Sequence, residues 1–397
     1  ADQLDMLEKR AAGQPIDLSL LTDGLEAERE QGITIDVAYR YFATKSRKFI
    51  IADAPGHEQY TRNMVTAAAG SDAAVVLVDI TKLDTSADGD KAVVLLPQTR
   101  RHSLLAHLLR VPSIVFAVNK LDALEQPGPA FAAVSKALRA FAEQAGIEVT
   151  AIVPVSALRG DNVTQPLDGE WATWYQGPSL LQVLESLPGV QEKVEGQLSI
   201  PVQYVAREAG ETGDGVGHQP RTLWGRIAHG QVKAGDQIQI LPSGQTAIVA
   251  EVRRAGATVA HCVAGESAGV VLDRQLDVSR GDWIVTPGSA TPTQSFEATL
   301  AWLDTEPAVA GRKYWLRHGN RWVQARISAI EHRLDIHTLA EQPAAEIKVN
   351  EIGHVRIETQ SALAVEPYAN NRIGGALIVV DATSNRTSGA LLVRAAS

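Results

Sequence analysis

The chain has 397 residues, of which 45% are hydrophobic and 21% charged, and its net charge is −9. This balance is ordinary for a soluble protein of two or three domains at roughly 150 residues each, and it excludes collagen, coiled coil and long disorder. The acidic total disfavours a dedicated nucleic-acid binder, and every apolar run is far shorter than the roughly 20 residues that span a bilayer. A single cysteine, Cys262, cannot form an internal disulfide, so we expect a cytoplasmic protein without a membrane segment.

Short apolar runs alternate with helical patterns in the first half of the chain. We predict strands at residues 49–52, 73–78, 114–118 and 151–155, and helices at residues 57–69, 100–109, 130–145 and 179–187. Continuous runs of β-branched residues are typical of parallel strands that are buried on both faces. The alternation therefore predicts an open, mostly parallel α/β sheet.

The second half consists of short strands separated by turns. We predict strands at residues 199–204, 223–227, 237–241, 247–253, 269–272, 283–285, 297–302, 315–317, 322–330, 352–357 and 376–380. Strands at hairpin spacing are typical of sandwiches and small barrels. The predicted organisation is an α/β domain at residues 1–190, a first β-barrel at 197–288 and a second at 293–397.

Three polar motifs follow three of the predicted parallel strands, where the ligands of open α/β sheets bind. They are Asp53-Ala54-Pro55-Gly56-His57, Asn119-Lys120-Leu121-Asp122 and Ser156-Ala157-Leu158. In the first motif, Asp53 can hold Mg²⁺ through water, the backbone of Gly56 can approach a terminal phosphate, and His57 can face the attacking water. Taken alone, this motif fits equally well a plain strand-to-helix turn with Asp as the cap.

The second motif indicates its ligand more specifically, because the carboxylate of Asp122 can accept hydrogen bonds from both N1–H and N2–H₂ of guanine. The stem of Lys120 can lie across the base, and Asn119 can tie the loops together. Adenine cannot supply that pair of donors. The order of the three motifs, each after a predicted strand, predicts binding of GTP or GDP with Mg²⁺.

Upstream, Thr34 lies in the run Glu-Arg-Glu-Gln-Gly-Ile-Thr-Ile, where a charged helical pattern passes into an extended one. A threonine in such a loop can close over Mg²⁺ and the γ-phosphate and open after hydrolysis. Without the other motifs, Thr34 would be an ordinary strand residue. With them, we expect Thr34 to contribute to catalysis and to bind the metal together with Asp53.

The run Glu-Arg-Glu-Gln-Gly-Ile-Thr-Ile-Asp-Val-Ala-Tyr-Arg-Tyr-Phe at residues 28–42 resembles the GTP-hydrolysing large subunits of bacterial sulfate adenylyltransferase (ATP sulfurylase). The resemblance extends to Gln-Thr-Arg-Arg-His-Ser at 98–103, Trp-Tyr-Gln-Gly-Pro at 174–178 and Leu-Pro-Ser-Gly at 241–244. These subunits belong with the elongation-factor-Tu-like translation GTPases, which share Gly-Ile-Thr, Asp-x-Pro-Gly-His and Asn-Lys-x-Asp.

The resemblance implies a P-loop GTPase domain followed by two small antiparallel β-barrels. It implies a heterodimer or higher assembly with a small catalytic subunit, which converts ATP and sulfate to adenosine 5′-phosphosulfate and pyrophosphate for sulfate assimilation and cysteine biosynthesis. GTP hydrolysis helps to drive that unfavourable step. The alternative is a translation GTPase that binds aminoacyl-tRNA, and a third interpretation is a nucleotide-free scaffold.

Two features depart from the family pattern. No Gly-x-x-x-x-Gly-Lys-Ser/Thr loop occurs in the chain; the family places it ahead of these residues, so we expect an upstream segment that carries it. Residues 83–96 look inserted, and we expect a surface loop there rather than a calcium site.

His332 and His337 lack an evident third ligand in the sequence, so we expect surface histidines rather than a metal site.

Overall fold

The computed structural model describes residues 36–56, 61–85, 93–188, 196–207, 221–335, 338 and 340–396. The chain divides into two compact units, residues 1–189 and 190–397. Within the described ranges, every helix is too short or too polar to cross a membrane.

The first unit contains a three-stranded parallel sheet in the order β3-β4-β5 and a separate two-stranded sheet. The strands are β1 (Ala38–Ala43), β2 (Lys48–Asp53), β3 (Ala73–Asp79), β4 (Ser113–Asn119) and β5 (Val149–Pro154). The central strand β4 is buried at every position except its last residue, Asn119. Its continuous apolar run therefore has the environment that the sequence predicted.

Four helices are described in this unit: α1 (Thr61–Ala69), α2 (Pro97–Leu108), α3 (Pro127–Ala145) and α4 (Leu180–Ser186). Each lies within a few residues of a predicted helix, and local signals set the ends. A proline occupies the first turn of α2 and of α3, where its missing N–H costs nothing. Gly146, with φ 67°, ends α3 in the left-handed conformation. Ser179 and Gln182 form a capping box that starts α4.

Strand β2 differs from its prediction. It was expected to be a buried parallel strand, but it pairs antiparallel with β1, and Phe42 stacks on Phe49 across the hairpin. Ile50 and Ile51 are 66% and 48% exposed. An apolar β-branched run suits either kind of strand, so the local sequence could not distinguish a hairpin strand from a member of the parallel sheet.

The second unit begins with one eight-stranded antiparallel sheet and the small pair β9–β13. The strands are β6 (Ser199–Pro201), β7 (Tyr204–Arg207), β8 (Arg221–Arg226), β9 (Gln231–Lys233), β10 (Gln237–Leu241), β11 (Thr246–Arg254), β12 (Ala257–Val259), β13 (His261–Val263), β14 (Ser267–Leu272) and β15 (Trp283–Val285). The sheet order is β6-β15-β10-β11-β14-β8-β7, with β12 on β11. A bridge between Ser199 and His229 brings the chain after β8 back to β6, so the sheet curls around a core that includes Ile200, Ile238 and Val270.

The rest of the unit is built around a closed six-stranded barrel. Its strands in chain order are β16 (Thr293–Trp302), β17 (Ala308–Val309), β18 (Lys313–His318), β19 (Arg321–Leu334), β20 (Glu341–Gln342), β21 (Glu346–Ile347), β22 (Ile352–Leu363), β23 (Ala376–Asp381) and β24 (Thr387–Ala396). Of these, β17 pairs with β21 in a separate sheet, and β20 pairs with β19 outside the closed ring. The order β18-β23-β24-β16-β22-β19 closes through pairing of β18 with β19. Phe296 and Trp302 lie fully buried in its core. The predicted α/β domain followed by antiparallel barrels is confirmed.

All the strands predicted in this unit coincide with observed ones, although the first divides into β6 and β7. The sequence missed β24, which lies between β16 and β23 and completes the second barrel. Thr387, Ser388 and Gly389 begin this strand, and such residues are more typical of turns than of strands. Barrel closure provides β24 with partners on both edges and overrides that local preference.

Candidate functional site

The carboxyl ends of the three parallel strands lie side by side. Asp79 at the end of β3 pairs in register with Asn119 at the end of β4, and Val118 pairs with Pro154 at the end of β5. The loops that follow these strands therefore begin at one edge of the sheet, where ligands of open α/β sheets bind. Two of the three predicted motifs follow β4 and β5 at this edge.

Asn119 connects these two loops. Its side-chain oxygen accepts hydrogen bonds from the backbone N–H of Lys120 at 2.8 Å and of Ala157 at 2.9 Å. One amide thus fixes the start of the Asn-Lys-x-Asp loop relative to the Ser-Ala-Leu loop.

Lys120 has a left-handed backbone conformation, with φ 67°. Its ammonium lies 2.8 Å from Oδ2 of Asp79. The other oxygen of Asp79 accepts hydrogen bonds from the N–H and hydroxyl of Thr81, at 3.1 and 2.6 Å. Burial alone would raise the pKa of Asp79, but the bonds from Lys120 and Thr81 outweigh it and hold the pKa below the ordinary value of an aspartate. The carboxylate is therefore ionised at neutral pH.

Asp122 lies in a short 3₁₀ turn, Leu121–Ala123, that the fully buried Leu121 anchors. Its side chain is 12% exposed, and the guanidinium of Arg159 is 3.9 Å from its Oδ2 atom. Asp122 therefore presents a sheltered carboxylate beside a positive side chain that is 61% exposed. A carboxylate placed in this way can accept hydrogen bonds from a planar donor pair.

Ser156 stabilises the turn that follows β5. It is fully buried, its hydroxyl accepts a hydrogen bond from the N–H of Arg159 at 3.2 Å, and its carbonyl accepts one from the N–H of Gly160 at 2.8 Å. This tight turn directs the backbone N–H of Ala157 towards the side-chain oxygen of Asn119. The side chain of Leu158 is 88% exposed, so it is free to contact a ligand at the rim.

The first motif follows β2, in the two-stranded sheet. Asp53 and Ala54 are partly buried, Pro55 is buried and Gly56 is exposed. A Cβ at Gly56 would lie 3.9 Å from the ring of His102 in α2, which is an ordinary contact, so packing around this position does not require glycine.

Thr34 and His57, predicted to act on the metal and on the attacking water, lie outside the described residues. So do Asp88 and Asp90 of the inserted segment, and His337. Among the predicted metal ligands, Asp53 is described. The structure thus brings together the residues that the sequence predicts to contact the base: Asn119, Lys120, Asp122, Ser156 and Ala157.

Sequence reasoning did not assign a role to Asp79 or Arg159. Asp79 could have been found by the rule that identified Asn119, because it also closes a parallel strand at the ligand-binding edge. Arg159 carried no such signal, because its position beside Asp122 depends on the turn at Ser156.

Comparison with known proteins identifies the family. The model of the elongation factor Tu GTP binding domain matches residues 2–189, and that of the GTP-eEF1A C-terminal domain-like family matches residues 295–394. Sulfate adenylyltransferase subunit 1 of Laribacter hongkongensis is 39% identical over 100% of this chain and 79% of its own length. The chain belongs to the sulfate adenylyltransferase subunit 1 family.

Longer relatives match the same region. The bifunctional enzyme CysN/CysC of Xylella fastidiosa is 41% identical over 95% of this chain, which spans 58% of that protein. Among solved structures, that of sup35 complexed with GDP has a TM-score of 0.47 and 21% identity, and the match covers 94% of this chain and 85% of that one.

Proposed function

We propose that this chain is the GTP-hydrolysing subunit of sulfate adenylyltransferase, which couples GTP hydrolysis to formation of adenosine 5′-phosphosulfate and pyrophosphate from ATP and sulfate. The observation that carries the proposal is the Asn119 amide, which joins the Asn-Lys-x-Asp loop to Ala157 at the carboxyl edge of a parallel sheet. The similarity to sulfate adenylyltransferase subunit 1, which covers 100% of this chain and 79% of that relative, supports the same function.

The base-binding step follows from the positions of the side chains. Asp122 accepts hydrogen bonds from N1–H and N2–H₂ of guanine, and it gives up its long contact with Arg159 when the base arrives. The aliphatic stem of Lys120 covers the base while its ammonium remains near Asp79. In the loop 156–158, the N–H of Ser156 donates to Asp161 and that of Ala157 to Asn119, which leaves the N–H of Leu158 for the guanine carbonyl oxygen.

The phosphate side uses the first motif. Carboxylate and hydroxyl oxygens are the ligands that Mg²⁺ prefers. Asp53, which is partly buried, and the hydroxyl of Thr34 therefore suit this ion, which would neutralise charge on the β- and γ-phosphates. The backbone of Gly56 approaches the γ-phosphate, and His57 orients the attacking water. Thr34 closes over the phosphate and opens after hydrolysis, which makes it the switch of the cycle.

The proposal includes a partner and a location. The name "subunit 1" of the relatives implies a second subunit in those enzymes, and we infer that this chain pairs with a small catalytic subunit in the cytoplasm. We further propose domain limits of 1–190, 197–288 and 293–397, with the GTPase in the first.

The test is coupled synthesis with the full-length protein and its small subunit. Pyrophosphate release from ATP and sulfate is measured with and without GTP and Mg²⁺. We expect GTP to increase the yield of adenosine 5′-phosphosulfate, and GTP hydrolysis to rise when the small subunit is present. Synthesis that is indifferent to GTP would refute the proposal.

Filter binding with aminoacyl-tRNA separates the translation-factor alternative. The proposed function predicts no nucleotide-dependent retention of tRNA. Tight binding of aminoacyl-tRNA with GTP, together with GTP hydrolysis that ignores the small subunit, would favour the alternative.

A further inference from the structure

Three potential metal ligands meet on the outer side of the second barrel, far along the chain from the nucleotide motifs. His332 on β19 lies directly opposite His354 on β22 in the strand register. Glu341 on β20 lies opposite Leu334, two residues beyond His332 on the same strand. Cross-strand and diagonal neighbours on one face of a sheet are within reach of long side chains. The antiparallel pairing therefore gathers residues from three strands.

The distances are short. The imidazole rings of His332 and His354 are 4.3 Å apart between centroids and lie at 70° to each other. Nε2 of His332 is 3.0 Å from Oε1 of Glu341, and Nδ1 of His354 is 4.0 Å from the same oxygen. One ligand atom from each residue lies within 4.8 Å of the other two. Small side-chain rotations would bring all three within about 2.0–2.2 Å of a central ion.

The Nε2 atom of His332 is buried and has no aligned hydrogen bond in the described part of the chain, despite its proximity to Glu341. A buried polar atom without a hydrogen bond costs free energy unless something else satisfies it. The two histidine side chains are only 18% and 17% exposed, whereas Glu341 is 62% exposed. The cluster therefore has a sheltered nitrogen pair and one carboxylate at the solvent side, from which an ion can enter.

We propose that His332, Glu341 and His354 form a binding site for one Zn²⁺ ion, with water as the fourth ligand. Two imidazoles and a carboxylate are a donor set that suits Zn²⁺ and disfavours Mg²⁺ or Ca²⁺, which prefer oxygen ligands. The ion joins the short strand β20 to β19 and β22. It lies in the second unit and uses no residue of the nucleotide site, so this proposal stands independently of the proposed function.

Arg394 competes with the ion. Its guanidinium donates a hydrogen bond to Nδ1 of His354 at 2.7 Å, and the lone pair of that nitrogen cannot bind a proton donor and a metal at once. Arg394 is exposed and can turn into solvent. Binding of Zn²⁺ therefore displaces Arg394 from His354. Removal of Arg394 should then strengthen Zn²⁺ binding, whereas removal of a ligand should weaken it.

The experiment measures Zn²⁺ binding by titration calorimetry on the full chain, stripped with a chelator, without nucleotide or Mg²⁺. We expect one Zn²⁺ per chain, and Co²⁺ in its place should give the visible absorption of a four-coordinate ion. His332→Ala and His354→Ala should each weaken binding at least tenfold. Glu341→Gln, at an exposed position that folding tolerates, should also weaken it. His261→Ala removes an exposed histidine of β13 and should change nothing.

Arg394→Ala should tighten Zn²⁺ binding severalfold, because it removes the competing donor. Circular dichroism checks that each variant folds. The proposal is overturned if the wild-type chain binds no Zn²⁺, if Glu341→Gln and the histidine variants bind it as the wild type does, or if Arg394→Ala leaves the affinity unchanged.

Discussion

The ammonium of Lys120 lies 2.8 Å from the carboxylate of Asp79, so one ion pair joins the ends of two neighbouring parallel strands. The pair holds the lysine of the Asn-Lys-x-Asp loop at the edge of the sheet through contacts within the protein. Under the proposed function, in which the stem of Lys120 covers the base, Asp79 is a positioning residue for that side chain.

Asp79→Asn should weaken GDP binding modestly while leaving base selectivity intact. The two side chains are 54% and 20% exposed, and pairs of this kind contribute at most about 1 kcal/mol, which corresponds to a loss of about fivefold. Titration of a fluorescent GDP analogue measures it, at low and high salt. The deficit should shrink at high salt, because salt already screens the wild-type pair; a salt-independent loss of a hundredfold would instead place Asp79 in direct contact with nucleotide.

Asp122→Asn should change the base preference of the nucleotide site from guanine to xanthine. The amide can no longer accept both guanine hydrogen bonds, and an unpaired polar group in a sheltered site costs about 1–3 kcal/mol, which corresponds to a loss of GTP affinity of roughly five- to 150-fold. Competition between GTP and xanthosine triphosphate measures the exchange. Asp72→Asn is the matched control, because Asp72 precedes β3 at the opposite end of the strand and is exposed. Equal GTP affinity in Asp122→Asn and the control would disprove the base-reading role.

His57→Ala should lower the rate of GTP hydrolysis and leave GTP affinity near the wild-type value. The reason is that a residue which orients the attacking water acts in the transition state rather than in ground-state binding. Single-turnover hydrolysis and equilibrium binding on the full-length protein measure the two quantities separately. Parallel loss of binding and turnover would make His57 a structural residue.

Gly225→Ala should destabilise the first barrel. A Cβ at this position in β8 would lie 2.3 Å from the carbonyl oxygen of Pro201 and 2.6 Å from the side chain of Ile200, so the backbone must shift, at a cost of about 1–3 kcal/mol. Urea unfolding followed by tryptophan fluorescence measures it. Gly70→Ala is the control, since a Cβ there meets nothing within 4 Å; an equal effect of the two substitutions would contradict the packing argument.

His318 should make the second unit less stable in acid. It is fully buried, stacks on Trp283 at 5.0 Å and donates a hydrogen bond from Nε2 to the carbonyl of Gly374 at 2.9 Å. Burial lowers its pKa from 6.5 to about 4, and the nearby Arg321 adds to the shift. Between these pH values, the imidazole of His318 is therefore protonated in the unfolded chain and neutral in the folded chain.

The free energy of unfolding should then rise as the pH increases from 4 to 6.5, by on the order of 3 kcal/mol from this residue, and this contribution is lost as the pH falls through the same window. Urea unfolding at a series of pH values measures the slope. His318→Gln should flatten it, because glutamine does not titrate. A variant with the wild-type slope would show that other groups cause the acid sensitivity.

The sequence by itself located β3, β4 and β5 as strands of a parallel sheet and placed the Asn-Lys-x-Asp motif directly after β4. Residues 114–118 form a continuous apolar run, which is typical of a strand buried on both faces, and the polar residue that follows lies at the edge of the sheet. Helix ends were equally local, since Ser179, Gly146 and the prolines act on their own turns. These features depend on neighbours within a few residues.

Only the tertiary structure decided which strands pair. The hairpin of β1 and β2, the inclusion of β24 in the barrel and the meeting of Asp79 with Lys120 all join segments whose contact no local pattern specifies. The same holds for His332, Glu341 and His354. The sequence predicted a surface position for His332 and indicated no role for the other two. Their proximity follows from the register of β19 with β20 and β22, and register is fixed by closure of the whole barrel around its core rather than by any one strand.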